Sequence, residues 1–178
     1  MKRMKIVYLF VVSFLLFSCI NSTDLTLGSA YSTGGGIAQD TLIMKVDSTE
    51  TRVSSLLEDE FVLSNNRIGK QIMSVITGTA RNLVLIKTST GKSLLIGGDQ
   101  PIKTTFGWMP VNELQVGAFV YCTDGLEMIV EINVQTYNSK IYNLAFNEEI
   151  GIYGNGIVIG DYTMMQRMKS EQAIYIDP

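Results

Sequence analysis

The stretch GGDQPIKTTFGWMPVNELQVGAFVY, which runs from Gly97 to Tyr121, decides the fold of this chain. Two adjacent glycines open it, and glycine permits the backbone angles that a tight turn needs. The apolar residues that follow favour an extended strand, and Trp108 offers a large surface to bury. The stretch therefore predicts a turn followed by a strand, and the rest of the chain must show whether it also holds a reaction centre.

The chain between about Asp40 and about Asp161 carries the same strand-like pattern. Short runs rich in β-branched and aromatic residues recur, and turn-forming residues separate them. No long helical period interrupts the series, so we expect an all-β domain. The strand-like runs are TLIMKV, EFVLS, QIMSVI, LVLIKT, SLLIGG, AFVYC, EMIVEINV, KIYNLAF and GIVIG, and the turn-like runs are VDSTE, SNNRIGK, STGK, TDG, YNSK and GNG.

A faint internal repeat relates two parts of this series. Residues 52–64 align without gaps on residues 110–122, with an offset of 58 residues. Apolar strands also match by chance, but a constant offset over more than thirty positions favours a duplication, and hence a pseudo-twofold β domain. The matched pairs are Lys45 with Lys103, Val53 with Val111, Leu56 with Leu114, Phe61 with Phe119, Val62 with Val120, Ile72 with Val130, Ile76 with Val134, Leu83 with Ile141 and Ile86 with Leu144.

The last residues have a different pattern. Met164, Met165 and Met168 recur at helical spacing beside polar residues. This spacing predicts a short amphipathic helix packed on the domain, in preference to a membrane or partner helix. We assign residues 163–178 to a C-terminal extension.

The beginning of the chain resembles a bacterial lipoprotein signal. Positive residues precede the uncharged apolar run from Ile6 to Phe17, which is too short to span a bilayer. The sequence LFSC that ends this run is similar to a lipobox, in which the cysteine becomes the lipidated mature N-terminus. We expect residues 1–18 to be the signal peptide, Cys19 to be lipidated and residues 19–35 to form a flexible tether. The alternative is an ordinary secretory signal with an incidental cysteine.

The composition excludes several classes of site. The chain has no histidine and two cysteines, so His-based catalysis and His- or Cys-rich metal sites are excluded. With Cys19 lipidated, only Cys122 remains, and we expect it to be a buried structural thiol in preference to a reactive one. The formal charge of −3 becomes −6 without the signal peptide, and no basic patch supports nucleic-acid binding. We expect no cofactor and no metal.

Three segments resemble the Hint domains shared by inteins and the Hedgehog autoprocessing region. The central stretch is similar to the family's run of T-x-x-H-P, an apolar strand, G-W-x-P, E-L and V-G-D-x-V. Residues 36–64 are similar to the opening block, where a cysteine or serine stands five residues before a threonine, and residues 141–162 are similar to the closing block, which ends in His-Asn. The resemblance covers residues 36–162 and implies a compact β horseshoe with pseudo-twofold symmetry. The matching central residues are Asp99, Pro101, Gly107, Trp108, Pro110, Glu113, Leu114, Val116 and Gly117.

The activity that the resemblance implies is autocatalytic peptide-bond cleavage or splicing. In the family, a thiol or hydroxyl attacks the preceding carbonyl, the central Thr and His support that step, and the closing Asn cyclises with help from a His. A Cys, Ser or Thr after the Asn accepts the chain in splicing. This sequence departs at every such position: Gly36 replaces the nucleophile, Gly97 the Thr, Gln100 and Ile150 two His, Gly160 and Asp161 the closing His-Asn, and Tyr162 the acceptor.

These replacements predict a fold without its chemistry. Glycine offers neither a nucleophile nor an acid, and a glutamine amide does not exchange a proton near neutral pH. We therefore expect no catalytic residue, and a lipid-anchored structural or binding module of the bacterial cell envelope, with an envelope protein or peptide as partner. A peptide-binding cleft would rest on analogy with the family. The alternative is self-cleavage by non-standard residues, either through Asp161 at the Asp161–Tyr162 bond or through Ser32 or Thr33 as displaced nucleophiles.

Overall fold

A computed structural model describes residues 34–176, and nearly all of their regular structure is β-sheet, as the sequence predicts. Two single 3₁₀ turns, Val53–Ser55 and Val111–Glu113, interrupt the strands, and one helix, α1 (Tyr162–Ile176), ends the described chain. The strands are β1 (Ile37–Ala38), β2 (Leu42–Met44), β3 (Glu50–Arg52), β4 (Phe61–Leu63), β5 (Gly69–Gln71), β6 (Ser74–Thr88), β7 (Ser93–Ile96), β8 (Pro101–Thr104), β9 (Gly107–Pro110), β10 (Phe119–Cys122), β11 (Gly125–Ala145), β12 (Gly151–Gly154) and β13 (Ile157–Gly160).

Eleven of these strands form one curved antiparallel sheet. Its order is β1-β7-β6-β11-β10-β8-β13-β12-β2-β3, with β9 beside β8, while β4 and β5 form a separate hairpin. The long strand β6 pairs with β11 from Ile129 to Ala145, while the first four residues of β11 pair with β10. Strand β1 also pairs with β11, and β13 pairs with β8, so the first and last strands of the predicted domain are both paired within this sheet.

One turn that the sequence predicts is wrong, because the run YNSK lies within strand β11. The run YNSK does not reverse the chain, because the residues on both sides of it pair with β6. The register shifts between Thr136 and Ser139, and Asn138 takes a left-handed φ of 48°. The turn-forming residues therefore make a β-bulge within a continuous strand, which bends the strand without ending it.

The predicted pseudo-twofold repeat is present in the element order of both halves. Hairpin β2–β3, a 3₁₀ turn and β4 are followed 58 residues later by hairpin β8–β9, a 3₁₀ turn and β10. Leu56 N–H donates to Val53 O at 3.2 Å, and Leu114 N–H donates to Val111 O at 3.1 Å. Asp59 also has a positive φ of 68°, and its counterpart is Gly117, with 94°.

The predicted match of Ile72 with Val130 is wrong by one residue. Ile72 N–H donates to Glu60 O at 2.8 Å, and the bond with the same position in the second half is from Ile129 to Ala118, also at 2.8 Å. Ile72 and Ile129 are both fully buried, whereas Val130 is exposed. The offset shortens because five residues connect Leu63 to its partner Gly69, whereas four connect Tyr121 to its partner Leu126.

One apolar core joins the halves, and α1 packs against its outside. The core is rich in isoleucine from both halves of the sheet. Met164 and Met165 are buried and Met168 is partly buried, as the methionine spacing predicts. Among the described residues, no helix is both long and apolar enough to cross a membrane.

Candidate functional site

The positions at which this sequence departs from the family lie at one place in the fold. Gly36 lies directly before β1, Gly97 and Gln100 lie in the turn between β7 and β8, and Gly160 ends β13. Gln100 is 2% exposed, and its Oε1 accepts a hydrogen bond from Gly36 N–H at 2.8 Å. The amide thus meets the residue at the position of the family nucleophile.

The other end of the same amide meets the closing strand. Gln100 Nε2 donates to Gly160 O at 2.6 Å, and this bond is also buried. One side chain therefore bridges the opening and closing positions, which are more than 120 residues apart. Because both hydrogen-bonding ends of the amide are used, Gln100 holds these backbones together and has no proton to transfer to either of them.

Gly97 allows the upstream chain to lie against the turn. Its N–H donates to Gly36 O at 2.7 Å. A Cβ added at Gly97 would lie 2.5 Å from Gly34 O and 2.9 Å from Gly35 C, both of which are backbone atoms that cannot swing away. The backbone of Gly34 and Gly35 therefore fills the space that the family threonine side chain would need.

The backbone at Gly36 is also unsuited to a nucleophilic residue. Its φ is +119°, which L-residues with a side chain rarely adopt. A Cβ there would lie 3.1 Å from Ile141 Cδ1 and 3.2 Å from Asn143 Nδ2. A cysteine or serine at this position would strain the backbone and press on the β11 side chains.

Asp161 caps the helix that follows the closing strand. Its Oδ1 accepts from Met164 N–H at 3.1 Å and Oδ2 accepts from Thr163 N–H at 3.2 Å, so the carboxylate satisfies free donors of the first turn of α1. Ile150 N–H donates to Oδ1 at 3.4 Å, and Asp161 N–H donates back to Ile150 O at 3.1 Å. Burial raises the pKa of Asp161, against the opposing effect of these donors. The hydrogen bonds from Thr163 and Met164 direct the carboxylate toward the backbone amides of α1.

Helix α1 covers the bridged centre. A Cβ at Gly35 would lie 1.6 Å from Met165 Sδ, so only glycine leaves room for this methionine over the upstream chain. Lys169 Nζ lies 2.8 Å from Asp99 Oδ2, and Arg167 pairs with Glu149 at 2.7 Å. The chain before the opening position and the chain after the closing position are therefore in direct contact.

Cys122 lies in another part of the sheet, in β10, where it pairs with Ile157 of the neighbouring strand β13. The pKa of the Cys122 thiol is raised to about 12, mainly by burial and secondly by the nearby Glu127 carboxylate, as expected for a structural cysteine. Burial of Glu127 acts to raise its pKa, but hydrogen bonds from Lys92 and two threonines outweigh burial and lower it. Lys92 Nζ lies 2.6 Å from Glu127 Oε1 and 2.8 Å from Asp124 Oδ2. This network locks the β10–β11 turn to the loop after β6.

The described part of the chain contains no group of three or more His, Cys, Asp or Glu residues that could hold a metal ion. Cys19, Ser32 and Thr33 lie outside the described residues. The contact between Gly35 and Met165, which covers the bridge made by Gln100, was not predicted from the sequence. The glycine run GGG at residues 34–36 was the available signal, since it indicates close backbone approach.

Comparison with known proteins supports the fold. No protein-family model matches the sequence, and no curated protein matches it. Among solved structures, the gp41-1 intein matches with a TM-score of 0.64 and 19% identity, covering 71% of this chain and 98% of the intein. A DnaB intein from Synechocystis sp. PCC 6803 matches with a TM-score of 0.66 and 16% identity, covering 72% and 99%.

A third match is a bacterial intein-like domain from Clostridium thermocellum. Its TM-score is 0.62 with 16% identity, and the match covers 73% of this chain and 99% of that domain. All three matches span nearly the whole of the compared domains, and the shared feature is the arrangement of strands. The chain therefore has the Hint fold that inteins and bacterial intein-like domains share.

Proposed function

We propose that this protein is a non-catalytic Hint-fold module that holds its flanking segments together as one uncleaved chain. The observation that carries the proposal is the bridge from Gln100 to Gly36 N–H and Gly160 O. In a self-cleaving centre, these positions would carry a nucleophile and proton-transferring groups. Here they carry backbone amides joined by a side chain that does not titrate.

The contacts of the flanking residues support a structural role for the centre. Gly34 and Gly35 pass through the space that a side chain at Gly97 would fill, and Met165 packs on Gly35. Asp161 starts a helix in place of a cyclising asparagine. Through these contacts, the chain before Gly36 and the chain after Gly160 both pack as part of the folded domain.

We further propose that the module is anchored in the bacterial cell envelope through a lipid on Cys19 and that it presents its surface to an envelope protein or peptide. The support is the sequence of residues 1–19, in which an apolar run ends at a cysteine. The mass of Cys19 after purification from membranes, compared with a Cys19→Ser variant, tests the anchor. An unmodified cysteine in the mature chain would contradict it.

Intact mass tests the absence of cleavage. Residues 20–178 are purified and incubated with and without dithiothreitol or hydroxylamine, which attack acyl intermediates. We expect one unchanged mass over days at neutral pH. A mass split near Gly36 or at the Asp161–Tyr162 bond would overturn the proposal and identify a nucleophile, and Asp161→Ala would then show whether that carboxylate is responsible.

A further inference from the structure

The outer face of hairpin β10–β11 is apolar. Phe119 pairs with Met128 and Tyr121 pairs with Leu126, and each of these four side chains is between 38% and 49% exposed. On the opposite side of the same strands, Val120, Cys122 and Ile129 are buried together with the paired carboxylate of Glu127. In an antiparallel sheet with one face in water, the outer residues are normally polar. We call these four residues, together with Phe106, the apolar face.

Phe106 extends this surface beyond the hairpin. It lies at the tip of the β8–β9 turn and is 89% exposed. The neighbouring Thr105 N–H donates to Phe119 O at 3.3 Å, which places the turn beside β10. At the rim, Lys103 Nζ lies 5.1 Å from the centre of the Trp108 ring. The result is an aromatic and aliphatic patch with a lysine at its border.

In the first half of the repeat the corresponding face is covered in part: Phe61, the counterpart of Phe119, is 51% exposed. Leu63 stands 58 residues before Tyr121 but is only 7% exposed, because it packs with Tyr153 and Val158. Opposite Phe61, the residue that corresponds to Phe119, stands the polar Gln71. Among residues 34–176, no equivalent packing covers the apolar face of the second half.

We propose that the apolar face rests on the lipid surface of the membrane. The proposal rests on the membrane attachment put forward above. Fourteen residues separate Cys19 from Gly34, and they reach at most about 50 Å when fully extended. The lipid on Cys19 therefore keeps the domain within that distance of a bilayer. Phenylalanine and tyrosine suit the interface between lipid and water, and a lysine stem lies along it with its charge in water.

Charge makes this association different from binding to anionic lipid. The mature chain is acidic, so its field does not attract an anionic surface. Insertion of Phe106 and its neighbours depends on apolar contact, which salt does not screen. The association therefore takes place on uncharged phosphatidylcholine and does not weaken as salt is raised.

Site-specific fluorescence on the full mature chain tests the proposal. Phe106→Cys is labelled with an environment-sensitive dye, while Cys122 stays unlabelled because it is buried. The matched control is Ser48→Cys, at the tip of the β2–β3 turn, 58 residues earlier. Each protein is purified from membranes and reconstituted into phosphatidylcholine vesicles with or without nitroxide-labelled lipid. We expect several-fold stronger quenching at position 106 than at position 48, unchanged from low to high salt.

Three outcomes would overturn the proposal. Flotation of both proteins with equal, weak quenching would mean that the domain is attached but the apolar face is in water. A label at position 106 that is already shielded without vesicles would mean that a second copy or residues 20–33 cover the face. Failure of both proteins to float would remove the membrane attachment and this inference with it. Met128→Gln, which copies the polar residue of the first half, should reduce quenching at position 106 in a chain that still folds.

Discussion

Replacing the amide of Gln100 with an apolar group of similar length measures how much the bridge stabilises the fold. In Gln100→Met, Gly36 N–H and Gly160 O lose their buried partner. Each unpaired buried group costs about 1–3 kcal/mol, so the two together should lower the free energy of unfolding by about 2–6 kcal/mol. The methionine fills most of the space, so this loss reflects mainly the two hydrogen bonds.

Urea unfolding followed by fluorescence of Trp108, the only tryptophan, provides the assay. The matched control is Gln115→Met, since Gln115 is exposed, and it should change the free energy by less than about 0.5 kcal/mol. The m-value should stay the same in all variants, because the surface exposed on unfolding is the same.

Gln100→Glu separates the two hydrogen bonds. A glutamate keeps an acceptor for Gly36 N–H, but when ionised it places an oxygen against Gly160 O. Burial should raise the pKa of this carboxyl in the folded state, so the variant should lose stability as the pH rises above about 4.3.

A Gln100→Met variant as stable as Gln115→Met would refute the reasoning, because the bridge would then contribute nothing.

Three further predictions concern the surroundings of the bridge and the buried thiol. Gly97→Ala should destabilise the domain by more than about 2 kcal/mol, because its Cβ would meet Gly34 O at 2.5 Å; a stability equal to wild type in urea would show that the upstream chain simply moves aside. Asp161→Ala should lower stability by about 1–2 kcal/mol and speed amide exchange in the first turn of α1, whereas Asp161→Asn should keep most of the cap; equal exchange in both would argue against capping. The Cys122 thiol, with a pKa of about 12, should react with iodoacetamide at pH 8 only through unfolding. Its raised pKa also means that stability falls as the pH rises through 9.0 toward 12, and rapid alkylation of the folded protein would contradict this account.

Local patterns predicted most of the fold because they act over a few residues. Asn155–Gly156 predicts a hairpin, and the structure has it between β12 and β13 with φ of 47° and 77°. The run YNSK also carries turn-forming residues but becomes a bulge. What decides between the two outcomes is whether the flanking strands pair with each other or with β6, and this choice depends on distant residues.

The candidate site was predictable in position but not in contacts. The resemblance placed Gly36, Gln100 and Gly160 at matching block positions, and the structure brings them together. That Gln100 bonds to both of the others depends on the distance between two strands that are far apart in sequence. The contact of Met165 with Gly35 likewise depends on where α1 turns after its cap, which no spacing of residues encodes.

Amide hydrogen exchange at Gly36, resolved by NMR in the wild-type domain and in Gln100→Met, tests the bridge most directly. Gly36 N–H is buried and bonded to Gln100 Oε1 at 2.8 Å. The account predicts that in the wild type this amide exchanges as slowly as the amides of the core strands, which exchange through unfolding. In Gln100→Met it should exchange much faster. Exchange of the wild-type Gly36 amide at the rate of an exposed loop would contradict the claim that Gln100 bridges Gly36 and Gly160.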